Sequence, residues 1–159
     1  MSQPLKTVAV LIANPALSSI LATTLAASPA LRVRPFESEL ALRSYLRLAP
    51  AQLVVADLDG GAARADEVAR HLRAEADVPS RLQIIALAGS LDAERRRAAQ
   101  AAGIDEIILK PMSPRYLLER VLARLRRAAS PPLRRRERHD WSAFGDNVVP
   151  LFPAPAGRL

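Results

Sequence analysis

Residues 53–61 read Leu-Val-Val-Ala-Asp-Leu-Asp-Gly-Gly, and this stretch limits the fold more than any other. Four apolar residues in a row leave no polar face for solvent. A strand of this kind is buried on both sides, which calls for a sheet with helices on each face and therefore for parallel strands. Asp57 ends the apolar run and the Gly60-Gly61 pair breaks it. In an open parallel sheet, ligands bind in the crevice outside the carboxyl ends of the strands, where strand order reverses. That places Asp57 where chemistry belongs.

The rest of the chain alternates in the same way. Apolar runs at Thr7–Ala13 and Leu82–Ala88 and a short one at Glu106–Leu109 read as further strands. Leu31–Phe36 alternates polar with apolar and contains Pro35, which has no amide to donate, so it belongs at a sheet edge. Helices are predicted between them. The first starts at Asn14-Pro15, with Leu17, Ile20, Leu21 and Leu25 at helical spacing. The next two cover 38–48, with Leu42, Tyr45 and Leu46 inward, and 65–75, with Val68 and Leu72 four apart. Residues 92–102 combine small residues with Arg and carry no apolar stripe, so this helix should pack most weakly. The last opens with Ser113 as N-cap and Pro114 in the first turn, and places Leu117, Leu118, Val121, Leu122 and Leu125 on one face up to Arg127. Five strand–helix units with short links predict a flavodoxin-like (βα)5 doubly wound α/β sheet, strand order 2-1-3-4-5, over residues 5–128. The switch point then falls beside Asn14 and Asp57.

Residues 129–159 differ in character. Ser130-Pro131-Pro132 breaks the helix, Arg134–Arg138 is a charge run, and the remainder is rich in Pro and Ala. A flexible tail is expected. Yet Trp141, Phe144 and Phe152 make up half of the six aromatic residues, so the tail is read either as docking on its own domain or as a short motif for another protein.

The 159 residues include no Cys and only two His, His71 and His139, which excludes disulfides, thiolate metal sites and a Cys nucleophile. The start resembles a secretory signal, but Asn14, Pro15, Ser18, Ser19, Thr23 and Thr24 interrupt the apolar region, and a strand followed by a helix accounts for it better. With no run near the roughly 20 apolar residues of a membrane span, a cytoplasmic protein is expected. The net charge of +7 divides unevenly, +5 over residues 1–128 and +2 over 129–159; it bears on association with an anionic partner and on solubility, not on fold. Arg134–Arg138 lacks interleaved aromatics and a recognition fold, so no nucleic-acid partner is expected.

Asp57 followed by Leu58, then Gly103-Ile104-Asp105 leading to Leu109-Lys110-Pro111, and a helix restarting at Ser113 together resemble the receiver domain of bacterial two-component response regulators. The resemblance covers about residues 5–127. It implies that Asp57 is the phospho-acceptor position and that Lys110 pairs with the phosphoryl oxygens. A carboxylate attacks a charged phosphoryl group only when charge is neutralised and the groups are held in line. Lys110 neutralises only part of that charge, and in such domains Mg2+ supplies the rest.

The chain departs from the pattern in several places. Ile12 and Ala13 stand where an acidic pair is expected, Ala88 where a hydroxyl grips the phosphoryl group, Ile107 where an aromatic is usual, and Gly60-Gly61 where Met-Pro is usual. The expectation is an atypical, chemotaxis-receiver-like pseudo-receiver. Its Mg2+ site, held by Asp57 and Asp59 with help from Asn14, is weak or absent, and Ser90 is the one candidate to replace the missing hydroxyl. Asp57 also has a plain reading as the cap of its own turn, and Lys110 as a simple ion-pair partner.

Receivers present the fourth helix, fifth strand and fifth helix to partners or to a second copy. The resemblance therefore makes Arg95, Ile107, Arg120 and Arg124 candidate partner-binding residues, with Trp141 and Phe144 added from the tail. A solvated face is the plainer account of the Arg95–Arg97 run and of the Arg120, Arg124, Arg127 stripe. The function expected is a single-domain signalling protein that is not an enzyme. It acts by binding signalling proteins, a histidine kinase or a downstream target, or a second copy as a homodimer. A working phospho-acceptor in a phosphorelay is the alternative, and a small enzyme on the same scaffold is a third.

Overall fold

The structure is a computed structural model that describes residues 4–61 and 63–130. Five strands, β1 (Lys6–Leu11), β2 (Leu31–Phe36), β3 (Leu53–Asp57), β4 (Gln83–Ala88) and β5 (Glu106–Leu109), alternate with five helices. These are α1 (Pro15–Ala26), α2 (Glu39–Leu48), α3 (Ala65–Ala74), α4 (Ala93–Ala102) and α5 (Pro114–Ala129). The strands form one parallel sheet in the order β2-β1-β3-β4-β5. The flavodoxin-like architecture expected from the apolar runs is the one observed, and β2 with its Pro35 is an edge.

The pleat divides the core into two layers, because successive side chains of a strand point to opposite faces. Val54 and Ala56 of β3 face α2, α3 and α4, joined by Leu42, Leu46, Val68, Leu72 and Ile84. Leu53 and Val55 face α1 and α5, joined by Leu21, Leu25, Leu117, Val121 and Leu125. Every residue of β3 is buried, as an uninterrupted apolar strand demands. Each buried Val or Leu contributes roughly 1.5–3 kcal/mol relative to exposure.

Ser113 caps its helix as predicted, accepting from the Tyr116 amide at 3.1 Å. Asn14, at the predicted start of α1, accepts from Leu17 at 3.1 Å, and Ser38, expected as the first helical residue, is instead the cap of α2, accepting from Ala41 at 3.2 Å. Differences lie at the edges of elements. β1 stops at Leu11 rather than Ala13, although Ile12 beyond it is still buried. Ile20, expected inward, is 53% exposed: the inward line runs through Leu21 and Leu25, and Ile20 lies about 100° round the helix from Leu21. α4 buries only Ala99 and Ala102, the weak packing its composition implied. No helix among the described residues is long and apolar enough to cross a membrane. Trp141 and Phe144, with the rest of 131–159, lie outside the described residues.

Candidate functional site at the carboxyl ends of the strands

Asp57 is the last residue of β3, level with Leu87 of β4, and is 8% exposed. The ladder continues one residue beyond each strand: the Leu58 amide donates to the Leu87 carbonyl and the Lys110 amide to the Ala88 carbonyl, both at 2.7 Å. This continuation brings Lys110, 53 residues away in sequence, over Asp57. Its Nζ donates to both carboxylate oxygens, at 3.0 Å (Oδ1) and 2.9 Å (Oδ2). Asp57 Oδ1 also accepts the Asp59 amide at 2.9 Å. The turn-capping role of Asp57 and its pairing with Lys110 therefore coexist.

Asp59 faces the same pocket and has three donors. Its Oδ2 accepts the Gly89 amide at 2.5 Å and lies 3.2 Å from Lys110 Nζ; its Oδ1 accepts from Arg95 Nη2 at 2.6 Å. A Cβ on Gly89 would come within 3.1 Å of Asp59 Oδ2, so the missing side chain permits this approach. Arg95 reaches in from the first turn of α4 and also donates to the Ser90 carbonyl (2.7 Å) and the Leu58 carbonyl (3.3 Å).

The charges shift accordingly. The Arg95 guanidinium, against the opposing effect of burial, holds the Asp59 carboxyl down at about 2, helped by the Gly89 amide and Lys110. Burial alone would lower the Lys110 ammonium, but the carboxylates of Asp57 and Asp59 more than offset this and raise it. Two carboxylates and two cations of the chain thus face one another.

The positions that depart from the receiver pattern frame this pocket. Ile12, buried, and Ala13, exposed, have hydrocarbon side chains and add no anionic ligand. Ala88 is fully buried and has no hydroxyl. Asn14 spends its Oδ1 on capping α1. Ser90 Oγ lies 3.4 Å from Arg95 Nη1. Among the described residues there is no group of three or more His, Asp or Glu arranged to hold a metal ion. Of that donor set, Asp57 and Asp59 are the groups that would touch Mg2+, and both already carry cations.

Three of the candidate partner-binding residues, Arg95, Arg120 and Arg124, make ion pairs within the domain. Arg95 is not a solvated surface Arg but part of the pocket. Arg120 and Arg124 are not a free stripe either: their Nε atoms lie 2.5 and 2.6 Å from the two oxygens of Glu106, and Arg124 Nη2 donates to the Asp105 carbonyl. The reason is common to all three: a long cationic side chain within reach of a carboxylate at a strand end folds onto it. Ile107 is half-buried and packs against the α2–α4 core layer. The sequence reading placed Arg95 on a partner-binding surface rather than in the pocket, and it missed Gly89. The only signal was positional: Asp59 lies two residues past Asp57, and Gly89 closes β4.

No family model and no curated relative match the sequence. Solved structures do. A response regulator receiver protein from Pseudomonas putida superposes with a TM-score of 0.67 at 23% identity, over 77% of this chain and 99% of that one. A CheY-like response regulator receiver domain protein from Methanospirillum hungatei gives 0.68 at 20% identity, over 78% and 96%. The BeF3-activated receiver domain of DrrB gives 0.66 at 21% identity, over 77% and 98%. The fold is that of response-regulator receiver domains. At these identities the likeness is one of fold.

Proposed function

We propose that this chain is a receiver-like signalling protein of bacterial two-component signal transduction, cytoplasmic and not an enzyme, that acts by binding other proteins. Its phosphorylation pocket is degenerate: the place of Mg2+ is served by the chain's own cations. The observation that supports this most is Arg95 on Asp59 beside Lys110 on Asp57. Phosphoryl transfer to a carboxylate needs surplus negative charge in the protein to hold a divalent cation, which in turn neutralises the phosphoryl oxygens. Here each carboxylate already has its cation. A metal entering about 4 Å from the Arg95 guanidinium would be repelled by roughly 4 kcal/mol per unit charge at an effective dielectric of 20. The fully buried Ala88 offers no hydroxyl to report an arriving phosphoryl group. The proposed partners are signalling proteins, a histidine kinase or a downstream target, or a second copy. Neither nucleic acid nor membrane is among them.

A second reading is a working phospho-acceptor in a phosphorelay. Its support is the Lys110 ammonium, 2.9–3.0 Å from both oxygens of Asp57. Intact-mass measurement after incubation with acetyl phosphate and magnesium separates the two. The first reading expects no phosphoryl adduct. An adduct on the wild type that is lost in Asp57→Asn would establish the second.

A further inference from the structure

α4 is held in an unusual way. α2 anchors itself with Leu42 and Leu46 and α5 with Leu117, Val121 and Leu125, whereas α4 buries two alanines. At roughly 0.8 kcal/mol per buried methylene-sized group, two alanines fix a helix poorly. Polar contacts take over at both ends. At the carboxyl end, Gly103 adopts the left-handed conformation (φ 95°), and its carbonyl accepts from Arg73 Nε (3.2 Å) and Nη2 (2.9 Å) of α3. At the amino end, Asp92 caps the helix from within by accepting the Arg95 amide at 2.7 Å. The tie from this end to the sheet runs through the Arg95 side chain to Asp59, Leu58 and Ser90. Asp59 is itself fixed by Gly89 and Lys110.

From this arrangement we infer that the Arg95–Asp59 pair is a latch. It sets the position of the amino-terminal half of α4 with no phosphoryl group required, and α4 pivots on its Gly103 end when the latch opens. The consequence reaches a surface. Arg96 and Gln100 of α4, with Leu91, Ile104, Glu106 and Ile107, line a groove of about 190 Å³ between α4 and β5. A swing of the first turns of α4 moves one wall of that groove. The pocket thus controls the groove through one guanidinium, in place of the hydroxyl that Ala88 lacks. That the groove receives a protein partner rests on the function proposed above; the latch itself does not.

Hydrogen exchange of the full chain, read by mass spectrometry at the amides of residues 96–100, tests the latch. Arg95→Gln is expected to speed exchange there about 3- to 10-fold. Asp59→Asn should match it, and the double variant should add nothing further. Arg96→Gln, on the same helix but outside the pocket, should leave the rates unchanged, as should all four variants at residues 117–125 of α5. Unchanged α4 exchange in Arg95→Gln would overturn the latch. So would an effect of Arg95→Gln that Asp59→Asn does not share. Phosphorylation plays no part in this readout, so the latch can fail while the proposed function stands, and a phosphoryl adduct would leave the latch intact.

Discussion

Asp59 shows how a single exposed-looking acid can govern a site. Its carboxyl sits at about 2, below its ordinary 3.8, because Arg95 and then Gly89 and Lys110 favour the charged form against the cost of burial. A folded-state value below the unfolded one stabilises the fold fully above about pH 4. That contribution is lost as pH falls from there through about 2. Arg95→Gln removes the largest of these influences. Carboxyl carbon resonances followed through an acid titration should then show Asp59 moving most of the way back towards 3.8. An unchanged midpoint would mean that Arg95 does not govern the charge of Asp59. This residue also marks a limit of reading from sequence. Asp57 and Lys110 were legible because each ends a strand, so the backbone pattern alone brings them together. Arg95, Arg96 and Arg97 are chemically identical neighbours. Which of the three points into the pocket depends on the approach of α4 to the sheet, which no local pattern encodes.

At the level of elements, Glu106 ties β5 to α5. Burial pushes its carboxyl up, but the guanidinium groups of Arg120 and Arg124 outweigh burial and lower it. Its stabilising contribution is therefore present above the ordinary carboxylate range and fades as pH falls below it. Glu106→Gln removes the negative charge and leaves one acceptor oxygen to serve two guanidinium groups. It should cost about 2 kcal/mol, seen as a lower urea midpoint with an unchanged slope. A midpoint within error of wild type would demote the pair to surface decoration. The elements themselves were legible because strands buried on both faces must be uninterruptedly apolar and because Asn14, Ser38 and Ser113 cap helices where they stand. Even the weakness of α4 showed in its composition. The misplaced Ile20 has a local cause: α1 holds no charged residue, so the apolar stripe has no charged border to mark its edge.

Over its described residues, the chain is a parallel sheet between two helical layers with a charge-balanced pocket at the carboxyl ends of its strands. The layers follow from hydrophobic periodicity, which is why fold and switch point could be placed from the chain alone. The balance of the pocket could not, since it depends on side chains at and just past the ends of β3 and β5 and on α4 meeting across 53 residues of sequence. Asp57 and Asp59 answer to Lys110 and Arg95, and the proposed function holds that this pairing leaves a divalent cation no vacant negative charge. The most direct test is a magnesium titration into the millimolar range, monitored by the amide resonances of Asp57, Asp59 and Gly89. The account predicts no saturable shift in the wild type. A saturable shift at all three, from metal bound with Arg95 still in place, would contradict it.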